Sequence, residues 1–210
     1  MEKLRGALLK SLKQLREISK KRKFEQSVEL IINLKGIDLR KPENRIKEDI
    51  ILPHGRGDEA KIVVFSDTFK DLPCPVLGSK EIEALGKNKR EAKKLARKTD
   101  FFLAEPRLMP LIGRNLGKVL APRGKMPRLI KGDPKSMIEK YKKAIMIKTK
   151  DNPVIQCKIG KESMKDEDIA ENAMEVINTV ISKLPKGKVN IKSIFLKFTM
   201  SKPVRVEIKW

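Results

Sequence analysis

Gly55-Arg56-Gly57-Asp58-Glu59-Ala60 has the outline of a dinucleotide-binding turn and follows a predicted strand. A pyrophosphate held there needs a helix N-terminus directly after the glycines. The next stretch, Ala60 to Ser66 (AKIVVFS), reads as a strand instead, so phosphate cradling is rejected. Gly113-Arg114-Asn115-Leu116-Gly117-Lys118-Val119 evokes a nucleoside triphosphate loop, but it is one residue short between its glycines. Val119 also stands where a magnesium-binding hydroxyl is required. His54, the single histidine, sits in a Pro/Gly turn, and Cys74 and Cys157 lie far apart without metal-type spacing. With no Gly-x-Ser-x-Gly elbow either, neither a triad nor a zinc set can be assembled. Asp166, Glu167 and Asp168 open a predicted helix, where the macrodipole accounts for them. The residue types therefore argue against an enzyme, and no cofactor or metal is expected.

What the chain carries in abundance is positive charge. Lys and Arg number 49 against 27 Asp and Glu in 210 residues, giving a net charge of +22 and a pI near 10.0. Such a surplus calls for a polyanionic partner, nucleic acid first and anionic membrane second. No apolar run approaches the roughly 18 residues of a spanning helix, so no membrane role is expected. The N-terminus has no secretory apolar core. The two cysteines fit a reducing cytosol as ordinary buried thiols. Aromatic residues are only 4%, which counts against single-strand binders that stack bases on aromatic side chains. An RNA partner would be a folded helix-and-loop element read through phosphates, 2′-hydroxyls and shape. Charge alone also admits a general duplex DNA or chromatin-type protein. A nucleotide-dependent enzyme is a third class, opposed by the failed glycine motifs.

The residues best suited to polar recognition lie late in the chain, in Thr199-Met200-Ser201-Lys202-Pro203. They interrupt two alternating stretches. Ile194, Leu196 and Phe198 alternate with Phe195, Lys197 and Thr199, and Val204, Val206 and Ile208 alternate with Arg205, Glu207 and Lys209. A period of two puts one row on a core and the other toward solvent or a partner. So short a terminal piece needs strands elsewhere to pair with. The best candidates lie near the N-terminus. Both ends of the chain are therefore expected to build one domain, with the middle inserted.

The elements that must position these groups follow in order. Residues 1–21 have helical spacing, with Leu4, Leu8, Ser11 or Leu12, Leu15 and Ile18 in one stripe, closed by Lys20-Lys21-Arg22-Lys23. Residues 24–34 read as a strand with Phe24, Val28, Leu30, Ile32 and Leu34 on one face and Glu25, Ser27, Glu29 and Asn33 on the other. A second strand, 45–52, precedes the Pro53-His54-Gly55-Arg56-Gly57-Asp58 hinge. The nearly continuous apolar runs at 60–66 and 101–104 suit a parallel sheet buried on both faces. Helices are predicted over 80–85 after a Ser79 cap, then over 88–98 beyond Gly86. Others are expected over 109–120 and 136–143. The helix over 88–98 is crowded with Lys89, Arg90, Lys93, Lys94, Arg97 and Lys98. Residues 145–150 and 154–159 suggest a hairpin around Asp151-Asn152-Pro153, carrying Lys148, Lys150 and Lys158. A clear amphipathic helix spans 166–184 after a cap region at 163–166. The expected fold is an α+β first domain, an antiparallel sheet with two helices, from 1–57 and 144–210. Residues 58–143 form an inserted three-layer, Rossmann-like α/β domain.

Several ordered motifs at matching spacing make the chain resemble the large-subunit ribosomal protein "L-one" family, the mobile-stalk protein beside the tRNA exit site. They are Ile51-Leu52-Pro53-His54-Gly55-Arg56-Gly57, Pro110-Leu111-Ile112-Gly113-Arg114, Ala121-Pro122-Arg123-Gly124-Lys125-Met126-Pro127 and Phe198-Thr199-Met200-Ser201. The wording of Lys41-Pro42-Glu43-Asn44-Arg45 is similar to the archaeal branch. The resemblance implies binding to a stem-loop of large-subunit rRNA, mainly through the first domain. It also implies help in releasing deacylated tRNA from the exit site and repression of translation through the protein's own mRNA. A cytoplasmic, ribosome-associated protein, monomeric when free, is expected. By motif match the RNA-facing residues would be Phe24, Ser27, Glu29, Thr199, Met200 and Ser201. Lys23, Lys148 and Lys202 would contact phosphates. Ser201 stands where the family usually has Gly, and Ser27 where it usually has Thr. Ser27 and Thr199 can exchange hydrogen bonds with a ribose 2′-hydroxyl, Glu29 can accept from a 2′-hydroxyl or exocyclic amine, and Met200 can pack on a base or sugar. The plainer reading makes Phe24 a core residue, Ser27 and Thr199 ordinary strand residues, and Glu29 a cross-strand partner of Lys197 or Arg205.

Overall fold

The amphipathic N-terminal stripe forms α1 (Glu2–Ile18), burying Leu4, Leu8, Ser11, Leu12 and Leu15. After it come β1 (Ser27–Leu34), β2 (Lys47–Ile51), β3 (Ile62–Phe65) and β4 (Val76–Leu77). Helices α2 (Ser79–Lys87) and α3 (Lys89–Lys98) lead to β5 (Phe101–Ala104), α4 (Met109–Leu120) and β6 (Arg128–Leu129). The chain continues through α5 (Pro134–Lys142), β7 (Ala144–Lys148), β8 (Val154–Lys161) and α6 (Asp166–Lys183), and ends with β9 (Ile191–Phe198) and β10 (Val204–Val206). This computed structural model describes residues 2–149 and 151–208. The described residues form a mixed α/β fold with three sheets. The described residues separate into two compact units, with boundaries between Asp58 and Glu59 and between Lys142 and Lys143.

In the unit formed by the chain ends, β10, β9, β1 and β8 make a four-stranded antiparallel sheet in that order. Alternation drives it: Val28, Leu30, Ile32 and Leu34 are buried on β1, and Ile194, Leu196 and Phe198 on β9. Helices α1 and α6 cover that apolar face, and their leucines, isoleucines and valines complete one continuous core. The opposite face of β1 stays half-exposed. Asn172 on α6 is fully buried and donates to the carbonyls of Gly55 (2.7 Å) and Ile159 (2.9 Å) while accepting the His54 N–H (3.1 Å). One amide thus fixes the Pro/Gly loop onto the helix and satisfies a carbonyl in β8 opposite the register shift at Val28/Glu29.

In the other unit, β4, β3, β5 and β6 form a parallel sheet whose central strands are buried on both faces. Val63, Phe65, Phe102 and Ala104 pack against α2, α3 and α4. Phe101 meets Tyr141 of α5 edge to face at 5.3 Å.

Several expectations need correction. The 145–150/154–159 hairpin does not form: β7 pairs with β2, and β8 pairs with β1. Thr149 explains the parting, because its N–H donates to the Ile46 carbonyl (2.9 Å) and its hydroxyl accepts the Ile46 N–H (3.0 Å). On the other side of the turn, Pro153 already offers its carbonyl to Leu34 at 2.8 Å. Lys150 lies outside the described residues. Phe24 is not a strand residue facing the core; β1 begins three residues later and Phe24 is 53% exposed. Ile18 leaves the apolar stripe at the end of α1 and is half exposed. Gly78, not Ser79, caps α2, with Glu81 accepting the Gly78 N–H and Asp67 accepting the Ser79 N–H. Gly86 sits inside α2, and Asn88 separates it from α3 by accepting the Glu91 N–H. The N-cap of α6, Lys165, does fall within the expected 163–166 region, but its side chain makes no capping bond, and Ser163 donates to Glu25.

Candidate nucleic-acid interface

The helix-free face of the four-stranded sheet collects the outward residues of each strand. Ser27, Glu29, Ile31 and Asn33 line β1, and Ser193, Phe195 and Lys197 line β9. Register places Glu29 between Lys197 on β9 and Lys158 on β8. The Lys197 ammonium lies 3.7 Å from the Glu29 carboxylate and donates to the Thr199 carbonyl at 3.2 Å. Glu29 is therefore a cross-strand partner of Lys197, whereas Arg205 sits opposite Phe195. Lys158 pairs with Asp58. Partial burial works against the Asp58 charge, but hydrogen bonds from Lys158 and Arg56 hold its carboxyl below the usual range.

At the rim of this face, the turn after β9 is bolted to the start of β1. Thr199 donates its N–H to the Ser27 carbonyl (3.1 Å) and its hydroxyl accepts the Ser27 N–H (3.2 Å). The side-chain carbonyl of Gln26, a residue 1% exposed, accepts the Met200 N–H at 3.1 Å. Ser201 turns its hydroxyl inward, accepting the Phe198 N–H (2.9 Å) and donating to the Lys202 carbonyl (3.0 Å). No described non-glycine residue has a positive φ, so Ser201 occupies its position without backbone strain. This framework leaves Met200 57% and Phe24 53% exposed, with Thr199 exposed beside Met200. Lys23 and Lys202 are exposed as well.

Residues 13–202 match the model of the ribosomal protein L1p/L10e family. The chain belongs to that family. A relative from Methanocaldococcus jannaschii is 47% identical over 97% of this chain and 96% of its own length. Relatives from Thermococcus kodakarensis and Pyrococcus horikoshii are 46% and 45% identical, each over 97% of this chain and at least 96% of their own lengths. All three are described as large ribosomal subunit protein uL1. This is a family of structural ribosomal proteins and not of enzymes.

Within this L1p/L10e chain the six residues singled out by motif and the three lysines expected to contact phosphates do not all fall together. Ser27, Glu29, Thr199, Met200 and Ser201 share the β1/β9 end of the sheet. Phe24 and Lys23 precede it, and Lys202 follows the turn. Lys148 belongs to a different ladder, opposite Lys47 on β2. Gln26 was missed, although its place two residues before Val28 in the alternation marked it as an inward polar group needing partners. Arg16 was missed too. Its guanidinium bonds Asp166 (2.8 Å) and the carbonyls of Glu162 and Met164 (both 2.9 Å) and lies 6.0 Å over the Phe198 ring. It props the sheet end from below, and helical spacing gave no sign of those partners. Glu25 is likewise committed: Lys161 bonds it at 2.7 Å, holding its carboxyl below the usual value.

The family's lack of catalysis agrees with the chemistry. Burial pushes the Cys157 thiol up to about 12 and raises Cys74 as well, so neither offers a ready thiolate. His54 is held by Glu171 (2.7 Å), with Asp168 3.6 Å away. Among the described residues no cluster of His, Cys, Asp and Glu could hold a metal, and no helix is long and apolar enough to cross a membrane.

Proposed function

We propose that this chain is a structural constituent of the large ribosomal subunit, binding a stem-loop of large-subunit rRNA through the β1/β9 end of its four-stranded sheet. The unit built from the chain ends would be the RNA-binding domain and the inserted α/β unit a second domain. Release of deacylated tRNA from the exit site and repression of the protein's own mRNA belong to the same reading, as does a cytoplasmic monomer that joins the ribosome. The names of relatives at 45–47% identity support the subunit assignment.

The observation that carries the RNA-binding part is the exposure of Met200 and Phe24 around a turn locked by Gln26, Thr199 and Ser201. Two exposed apolar groups can lie against a base or ribose, and the Thr199 hydroxyl, which donates to the Ser27 carbonyl (3.5 Å) and accepts the Ser27 N–H (3.2 Å), keeps a second lone pair to accept from a 2′-hydroxyl. A rigid platform loses little entropy when it binds. The carboxylates of Glu29 and Glu25 are neutralised by Lys197 and Lys161, so the face does not repel phosphates as its acidic residues alone would.

The test is competition. A labelled stem-loop of large-subunit rRNA should be displaced from the full chain by unlabelled rRNA and poorly by duplex DNA. Equal displacement by DNA would replace this reading with a general basic nucleic-acid binder. Crosslinking in cells followed by RNA sequencing should recover large-subunit rRNA and the protein's own message; recovery of rRNA alone would remove the repressor role.

A further inference from the structure

We infer that α3 is a second nucleic-acid site, a docking face for the phosphate backbone of duplex RNA. Lys89, Arg90, Lys93, Lys94, Arg97 and Lys98 are all exposed. Helical spacing sets them in two adjacent rows, Lys89-Lys93-Arg97 and Arg90-Lys94-Lys98, with like charges repeated at i, i+4. Such pairs repel, and no ion pair engages any of the six among the described residues. Glu91, also exposed, is the one carboxylate on α3, so the six cations outnumber it and repel along both rows, which a polyanion laid across the helix would relieve.

The rest of the helix is built to hold those rows outward. Ala92 and Ala96 are buried in the core of the unit, so small side chains seat the helix close to α2 and α4. The Asn88 side chain caps its N-terminus. At the other end Lys125, from the Ala121–Pro127 loop, donates to the carbonyls of Ala96 (3.0 Å) and Thr99 (2.5 Å). That cap supplies the cation a helix C-terminus favours, leaving Arg97 and Lys98 free for a partner. It also gives the Pro-Arg-Gly-Lys motif a structural task.

The chemistry favours a nucleic-acid backbone over an acidic protein. Interfaces between proteins rely on buried aromatic or apolar anchors, and none of the exposed large apolar residues lies on α3. Six cations without an aromatic neighbour suit phosphates, which position a partner without reading its sequence. The choice of RNA as the source rests on the ribosomal reading above; the site itself rests on α3 alone.

Acetylation footprinting of the full chain, with and without a short A-form RNA duplex of arbitrary sequence, tests the site directly. Protection of Lys89, Lys93, Lys94 and Lys98 is expected. In parallel, the variant Lys89→Gln/Lys93→Gln/Lys94→Gln/Arg97→Gln should lower the salt slope of duplex binding by about three to four units. Glutamine is as good a helix former as lysine, so the variant should keep its circular dichroism spectrum. Unchanged lysine reactivity, an unchanged slope, or equal protection by polyglutamate would each overturn the site, and equal protection by duplex DNA would overturn RNA as its occupant. A Met200→Ala/Thr199→Ala chain separates the two readings. It should lose its preference for the rRNA stem-loop over the arbitrary duplex yet keep α3 protection by that duplex, and loss of that protection would overturn a separate α3 site. An undiminished preference for the stem-loop would instead sink the β1/β9 platform while leaving α3 standing.

Discussion

The buried side-chain carbonyl of Gln26 accepts the backbone N–H of Met200 at 3.1 Å, joining residues 174 positions apart. The same amide reaches Glu162 through its nitrogen (3.4 Å), and the Gln26 backbone carbonyl accepts the Glu162 N–H (2.9 Å). Three chain segments therefore meet on one residue beneath the exposed thioether. Gln26→Leu keeps most of the volume but leaves the Met200 N–H without its acceptor. A stability loss of about 1–3 kcal/mol is expected from an unsatisfied donor, visible as a lower Tm, together with weaker binding of the rRNA stem-loop. Unchanged melting would show that solvent satisfies the turn as well as Gln26 does.

Phe24 gives the converse case. At 53% exposure it contributes little to the core, so Phe24→Ala should leave stability within about 0.5 kcal/mol of wild type. If its ring lies against a base, affinity for the stem-loop should fall by about 1–3 kcal/mol, the scale of a lost base–aromatic stack. Isothermal titration beside a thermal melt separates the two quantities. A variant that melts early and binds normally would return Phe24 to a purely structural role.

The contrast between Phe24 and Gln26 shows what a strand pattern can and cannot convey. Alternation from Val28 to Leu34 and from Ile194 to Phe198 marks which faces are buried, because period two follows from the pleat itself. Helices α1 and α6 were equally legible from their stripes, and so were the buried strands β3 and β5. Pairing was not legible where a neighbour in sequence was not the neighbour in space. Nothing local announces that Thr149 clasps Ile46, or that Asp67 accepts the N–H of Ser79 at 2.8 Å from twelve residues away. The site shows the same division. Residue types at Ser27, Glu29, Thr199 and Met200 could be read, whereas the contacts that orient them, from Gln26, Lys197 and Arg16, exist only once the chain ends meet.

Thr199 has two tasks that a pair of substitutions can separate. Its hydroxyl accepts the Ser27 N–H (3.2 Å) while its own backbone N–H continues the ladder. Thr199→Ala should weaken stem-loop binding by about 1–2 kcal/mol, the scale of one hydrogen bond left unmade. Thr199→Ser keeps the hydroxyl and should restore most of that affinity. If the serine variant binds no better than the alanine variant, the methyl group and not the hydroxyl is what matters.

Acid should loosen the attachment of the Pro53–Gly57 loop. Glu171 bonds the His54 ring at 2.7 Å, and this bond, aided by the nearby charges of His54 and Arg5, holds the Glu171 carboxyl below its ordinary value of 4.5. A carboxyl depressed in the folded state binds its proton less readily there than in the unfolded chain, so its contribution to stability is present above pH 4.5 and fades as pH falls through the lower folded value. Glu25, depressed by its hydrogen bond to Lys161, acts in the same direction and over the same window. Glu171→Gln removes the first contribution and leaves the second. The difference in Tm between wild type and Glu171→Gln should therefore shrink toward zero as pH falls through the lower folded value, with the wild type the more stable above it. A difference that persists unchanged to low pH would mean that Glu171 acts through packing and not through its charge.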